Sequence, residues 1–246
     1  MRTARPAPLT GKRVLGRATV AALAASTLTS VLIAPAGDPV ERLSYLQAPL
    51  AVVAFAGSAV VLIASVAHLR TGSASADRLA AAAAETGFAF ALLAALVGAL
   101  WSQAAEHRWW TSDPLAGTIA VLAAVYGGYL AIRRLQHNPD RTARWAAVAG
   151  LAAFPAVAGV YASIAAWRPV TLEAQLTRPA PTAAAIACLV LGTAAFAVGF
   201  LHLTGARVQL GNLEERARRD AWASVRHRPA PRVVPGRARP GVGARA

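Results

Sequence analysis

The chain has 246 residues, 56% of them hydrophobic and 15% charged, with a mean hydropathy of +0.46; this is too apolar for an ordinary water-soluble domain and makes a membrane protein the first expectation. Its net charge of +14 comes from basic residues gathered in short segments between long uncharged runs, so it reads as topology rather than as a nucleic-acid surface. The single cysteine, Cys188, excludes an internal disulfide, a cysteine-built zinc site and a C-x-x-C-H attachment motif.

Residues 1–13 form a basic cytoplasmic leader with Arg2, Arg5, Lys12 and Arg13. Six apolar stretches follow: Ala18–Ala34, Pro49–Val66, Leu79–Trp101, Pro114–Ile132, Trp145–Trp167 and Pro181–Leu203. Each is close to the ~20 residues a helix needs to cross ~30 Å of hydrocarbon. Alanine and leucine dominate them and period-two alternation is absent, which argues against strands. The short connections hold too little polar material to give a soluble fold a surface. The expected fold is an all-α polytopic membrane protein with six transmembrane helices, its membrane domain covering residues 14–205. The start also admits a second reading. A basic leader, an apolar run and Ala34-Pro35-Ala36 fit a cleavable signal peptide, which would leave five spans.

Basic residues set the orientation. The leader with Arg17, the second connection with Arg70 and Arg78, the fourth with Arg133, Arg134, Arg141 and Arg144, and the tail hold most of them, whereas the other connections hold only Arg42, Arg108, Arg168 and Arg178. By the positive-inside rule both termini are cytoplasmic, the chain is a multi-pass protein of the cytoplasmic (plasma) membrane, and the odd-numbered connections face outward. Residues 206–246 are a basic cytoplasmic tail. Val208–Trp222 is expected as a short surface helix, and the remainder, with Pro229, Pro231, Pro235 and Pro240, as disordered. Anionic lipid is the expected partner of this tail; nucleic acid is not, because aromatic side chains for base stacking are nearly absent.

Few ionisable groups fall inside the stretches. His68 and His202 lie in the last turns of the second and sixth, at the cytoplasmic side, where an imidazole reaches interfacial water; a metal or haem pair there is the alternative reading. Glu85 sits about 9 Å into the third stretch at ~1.5 Å per residue and needs a polar neighbour or a route to water. The outer connection from Trp101 to Pro114 packs Trp101, Glu106, His107, Arg108, Trp109, Trp110 and Asp113 into one short segment. An aromatic belt accounts for tryptophans at a membrane interface. It does not account for adjacent rings with a cation, an imidazole and acids beside them, which are the groups a porphyrin needs at a membrane surface. The outer segments Ala34–Pro49 and Arg168-Pro169 flank this loop and are expected to form one outward vestibule with it.

The run Trp101, Trp109-Trp110, Asp113 and then Tyr126-Gly-Gly-Tyr129-Leu-Ala-Ile-Arg133 resembles the tryptophan-rich WWD segment and following helix of the cytochrome c biogenesis membrane proteins, in particular the CcmC (haem exporter protein C) branch. The spacing is ungapped from Gly98 to Arg133. Ala34-Pro35, Asp38, Arg42-Leu-Ser-Tyr45 and Pro49 follow the order of that branch's first outer loop, and the likeness extends over roughly residues 14–205. The resemblance implies non-covalent haem b, presented at the outer face and passed to a periplasmic haem chaperone beside an ATP-binding-cassette (ABC) transporter pair, with binding and transfer rather than catalysis. It places the porphyrin platform at Trp109, Trp110 and Asp113, with Trp101 and Arg108 beside it.

The chain departs from that pattern where the iron would be held. Gln47 replaces the first outer histidine, and Ala156-Val157-Ala158-Gly159-Val160-Tyr161 offers none for the second. Glu106, His107 and Ser112 stand where the family favours Trp, Gly and Trp, and Leu115 where it carries an arginine. An amide oxygen is a weak iron donor. His107 is therefore the candidate axial metal ligand, with Tyr45 or Tyr161 as ferric partner. Two other functions compete with haem handling: a haem-free structural subunit descended from the family, packing partners through small-residue helix faces, and a small-solute transporter, for which Pro155 in the fifth stretch is the only sign of a broken helix.

Overall fold

The computed structural model describes residues 40–110, 114–135, 139–167 and 182–226, with Ala24 besides. After a 3-10 turn at Glu41–Leu43 come α1 (Ser44–Thr71), α2 (Ala74–Glu106), α3 (Pro114–Leu135), α4 (Pro139–Trp167) and α5 (Ala183–Arg226), with no strand among the described residues. Among the described residues four helices are long and apolar enough to cross a membrane: Ser44–Thr71, Ala74–Glu106, Leu115–Leu135 and Ala183–Trp222. They take up the second and third apolar stretches, the fourth from Leu115 and the sixth from Ala183, and α4 holds the fifth. Of the first stretch, Ala18–Ala34, Ala24 alone is among the described residues, and both termini lie outside them.

The helices start and stop where backbone chemistry demands. Prolines open α3 and α4, at positions whose missing N–H has no helical partner to lose. Gly72 ends α1 at φ 65°, its N–H donating to the His68 carbonyl over 2.8 Å; the left-handed conformation is open to glycine without a Cβ penalty. His68 Nδ1 donates to the Ser73 carbonyl at 3.0 Å, so this imidazole closes the α1–α2 turn.

Packing is inside-out relative to a soluble bundle. On α2 the buried positions are Ala80, Ala83, Ala84, Gly87, Ala91 and Ala94, while Leu92, Leu93, Leu96 and Leu100 are exposed. Lipid tails solvate leucine as well as another helix does, so association in a bilayer relies on close backbone approach and van der Waals contact. Tyr126 shows what this approach accommodates. Its hydroxyl donates to the Ala54 carbonyl at 2.7 Å, across from α3 to α1. Its ring occupies the space a Cβ on Gly87 would need, and its hydroxyl lies 2.9 Å from where a Cβ on Gly57 would be. Phe90 of α2 meets Phe196 and Phe200 of α5 edge-on, at 6.2 and 6.1 Å between centroids.

At the arginine-rich end, Arg133 grips Asp77 in bidentate fashion at 2.6 and 2.9 Å and lies 5.9 Å from the centre of the Tyr129 ring. Asp77 is in the first turn of α2 and Arg133 in the last turn of α3, so each charge also faces the helix end that favours it. Glu85 accepts a hydrogen bond from Arg207 Nε, the polar neighbour its depth requires.

The chain divides into compact units Met1–Val208 and Gln209–Ala246, the break falling inside α5. Residues 208–222 are helical, but not as the separate surface element expected: one helix runs from Ala183 to Arg226. In its second unit Glu215 pairs with Arg218 and Arg219 at 3.2 and 3.0 Å. These one-turn ion pairs support the helix locally.

Candidate functional site

The site grows from the end of the bundle opposite the arginine-rich turns. There α2 ends at Glu106, and His107 takes the left-handed conformation, φ 54°, with its N–H bonded to the Gln103 carbonyl at 3.1 Å. Histidine is among the non-glycine residues that tolerate this region. The chain then turns back, and Ser102 Oγ donates to the Arg108 carbonyl at 2.7 Å. That bond, made by a buried serine one turn below the helix end, fixes the backbone directly ahead of Trp109 and Trp110.

The two tryptophans are exposed, 64% and 55% accessible. They share a hollow with Gln47 of α1, Ala95, Gly98, Ala99 and Ser102 of α2, and Ala116 and Ile119 of α3. Its volume is about 20 Å³, room for a water molecule and far too little for a porphyrin. Gln47 is 9% exposed, and its amide lies where a Cβ on Gly98 would fall. The arrangement is therefore a shelf of two rings over a small polar-floored hollow, not a cleft. A planar apolar ligand can lie on it but cannot enter it.

Beside it lies a larger groove of about 390 Å³, lined by Ala48, Ala51, Val52 and Phe55 of α1, Leu115, Thr118, Ile119 and Leu122 of α3, and Ala158 of α4. Ile119 borders both spaces. Apart from the Thr118 hydroxyl its side chains are apolar, so it offers contact area without a fixed donor or acceptor for orientation.

The structure thus brings Gln47, Trp109 and Trp110 together. His107 and Arg108 are exposed in the adjoining turn, Trp101 is half-buried on the last turns of α2, and Tyr45 is half-buried in the first turn of α1; none of these four lines the hollow. Asp113 and the side chain of Tyr161 lie outside the described residues. Sequence reasoning missed the α2 face of Ala95, Gly98, Ala99 and Ser102. Its signal was present as small residues at i, i+3, i+4 and i+7, the spacing of one helical face. Among the described residues no group of three or more His, Cys, Asp or Glu is placed to hold a metal ion.

The sequence model of the family described as "CcmC: Heme exporter protein C" matches residues 8–224. The chain is similar to the heme exporter protein C of Paracoccus denitrificans (strain Pd 1222), 30% identical over 102 residues, which is 42% of this chain and 42% of that protein. It is also similar to the heme exporter protein C of Bradyrhizobium diazoefficiens (strain USDA 110), 38% identical over 89 residues, or 36% of this chain and 34% of that one. The matched region spans less than half the length of each of these relatives. With the family match extending over most of its length, the chain belongs to the CcmC, or heme exporter protein C, family.

Proposed function

We propose that this protein handles haem in cytochrome c biogenesis, holding non-covalent haem b at the outer face of the cytoplasmic membrane and releasing it to a periplasmic chaperone, beside an ABC transporter pair. The observation that carries the reading is the exposed Trp109–Trp110 pair, held by the Ser102–Arg108 bond at the end of the bundle with few arginines. An aromatic pair left open at a membrane interface offers flat apolar area to a porphyrin. Arg108 supplies a cation for a propionate, and Asp113, three residues after Trp110 in the sequence, an acid. Trp101 and Tyr45, half-buried at this end, and Tyr161 are the further aromatic residues proposed for it.

The iron is the weak point of the family pattern in this chain. Gln47 is committed to the space above Gly98 and carries a poor donor, so its place is beneath the shelf rather than on the metal. His107, exposed in the turn that leads into the tryptophans, is the imidazole available to an axial position. Binding at such a surface is shallow, which suits a protein that passes its cargo on, and no bond-making chemistry is required of it.

Haem titration of the full-length protein in detergent tests this. A Soret band that saturates at one haem per chain, and that weakens in Trp109→Ala and Trp110→Ala, supports it. A protein indifferent to haem, yet co-purifying with assembly partners when His107 and Asp113 are both alanine, establishes the haem-free structural subunit instead. The small-residue packing of α2 favours that second reading.

A further inference from the structure

At the arginine-rich end a second site lies between α1 and α4. The two helices touch at Gly150, where a Cβ would stand 2.5 Å from Ser65 Oγ and 3.1 Å from Val61 Cγ1. Toward the helix ends beyond this crossing the side chains become large, and a groove of about 570 Å³ opens, lined by Leu69 of α1 and by Arg141, Arg144, Trp145 and Val148 of α4. All five are exposed. Arg141 and Arg144 are three residues apart and so share one helix face, with Trp145 next in the chain. Asp77, in the first turn of α2, is taken by Arg133, and none of the ion pairs among the described residues uses Arg144.

We propose that this groove binds one anionic glycerophospholipid, its phosphate between Arg141 and Arg144 and an acyl chain along Leu69, Trp145 and Val148. Guanidinium groups bind phosphate oxygens through charge-assisted, often bidentate hydrogen bonds. Tryptophan is at home where headgroup meets hydrocarbon. A free phosphate has no use for the three apolar side chains, which run from the arginine rim toward the Gly150 crossing. Charge and apolar surface together select a lipid. The site uses none of the residues of the basic tail, to which composition alone assigns a lipid contact, and none of those of the tryptophan shelf.

Native mass spectrometry of the full-length protein, released from micelles holding equal phosphatidylglycerol and phosphatidylcholine, tests it. Wild type is expected to retain one phosphatidylglycerol in preference. The double variant Arg141→Gln/Arg144→Gln should lower that preference by roughly tenfold to thirtyfold. Leu69→Trp, which narrows the groove with both arginines kept, should lower it too, and it decides the matter if the double variant fails to fold. Arg218→Gln/Arg219→Gln in the tail should leave it unchanged, and excess inorganic phosphate should not displace the lipid. Equal retention of both lipids, a preference unmoved by Leu69→Trp, loss in the tail variant alone, or displacement by inorganic phosphate would each overturn the proposal.

Discussion

Replacing Trp109 by alanine should weaken haem binding by roughly twenty- to three-hundredfold, and the structure lets the figure be built from area. A tryptophan side chain presents roughly 150–250 Å². With 64% of Trp109 accessible, on the order of 100–160 Å² is free, and a porphyrin lying against one face covers about half of it. At about 25 cal/mol per Å² this contributes ~1.3–2 kcal/mol, and stacking geometry adds ~0.5–1.5 kcal/mol. The sum, about 1.8–3.5 kcal/mol, converts at ~1.4 kcal/mol per tenfold. Trp110 is 55% accessible and should lose slightly less; the two losses should not add, because adjacent rings share one ligand face. The measurement is Soret titration in detergent, with Trp222→Ala as the control. Trp222 is 67% exposed, as open as Trp109, but lies in the second unit. Equal weakening in all three variants would mean that porphyrin adsorbs to any exposed tryptophan, and the shelf would have no special role.

Three further outcomes are expected. His107→Gly suits the left-handed backbone at φ 54°, so thermal stability should hold or rise by up to ~1 kcal/mol, while the Soret maximum of the haem-loaded protein shifts; an unchanged spectrum excludes His107 from the iron. Gly98→Val should cost about 1–3 kcal/mol in denaturant titration through collision with Gln47, and much less in a Gln47→Ala background; the same cost in both backgrounds would show that Gln47 is not what Gly98 makes room for. A double-mutant cycle on Asp77→Asn and Arg133→Met should give a coupling of about 1 kcal/mol or more, since the pair is bidentate and both side chains are only about one-fifth exposed. A coupling near zero would reduce the pair to an exposed surface contact.

Part of the family signature proves to build the fold rather than the site. Tyr126, Tyr129 and Arg133 belong to the same ungapped run as the tryptophans, yet Tyr126 bonds the Ala54 carbonyl and Arg133 grips Asp77, away from the shelf. A spacing pattern in one chain cannot separate residues kept for packing from residues kept for a ligand, because both fix the same register along a helix. The Ser102–Arg108 bond was hidden for a related reason: its acceptor is a backbone carbonyl, which leaves no side-chain trace.

Apolar run length, alanine and leucine content and the clustering of arginine suffice by themselves to establish an all-helical membrane protein and to place the tryptophan loop at a helix end, because hydrocarbon thickness and backbone hydrogen bonding leave a chain this apolar few other forms. Which faces of those helices meet was decided by tertiary contact. Gly57 and Gly87 look like any other small residues until Tyr126 is seen filling the space between them. Gln47 looks like a substituted ligand until its amide is found against Gly98. The tryptophan shelf lies on the surface for the same reason: side chains from α1, α2 and α3 close the space beneath Trp109 and Trp110 to about 20 Å³, a volume set jointly by residues up to 72 positions apart in the chain, from Gln47 to Ile119, and therefore by no local pattern.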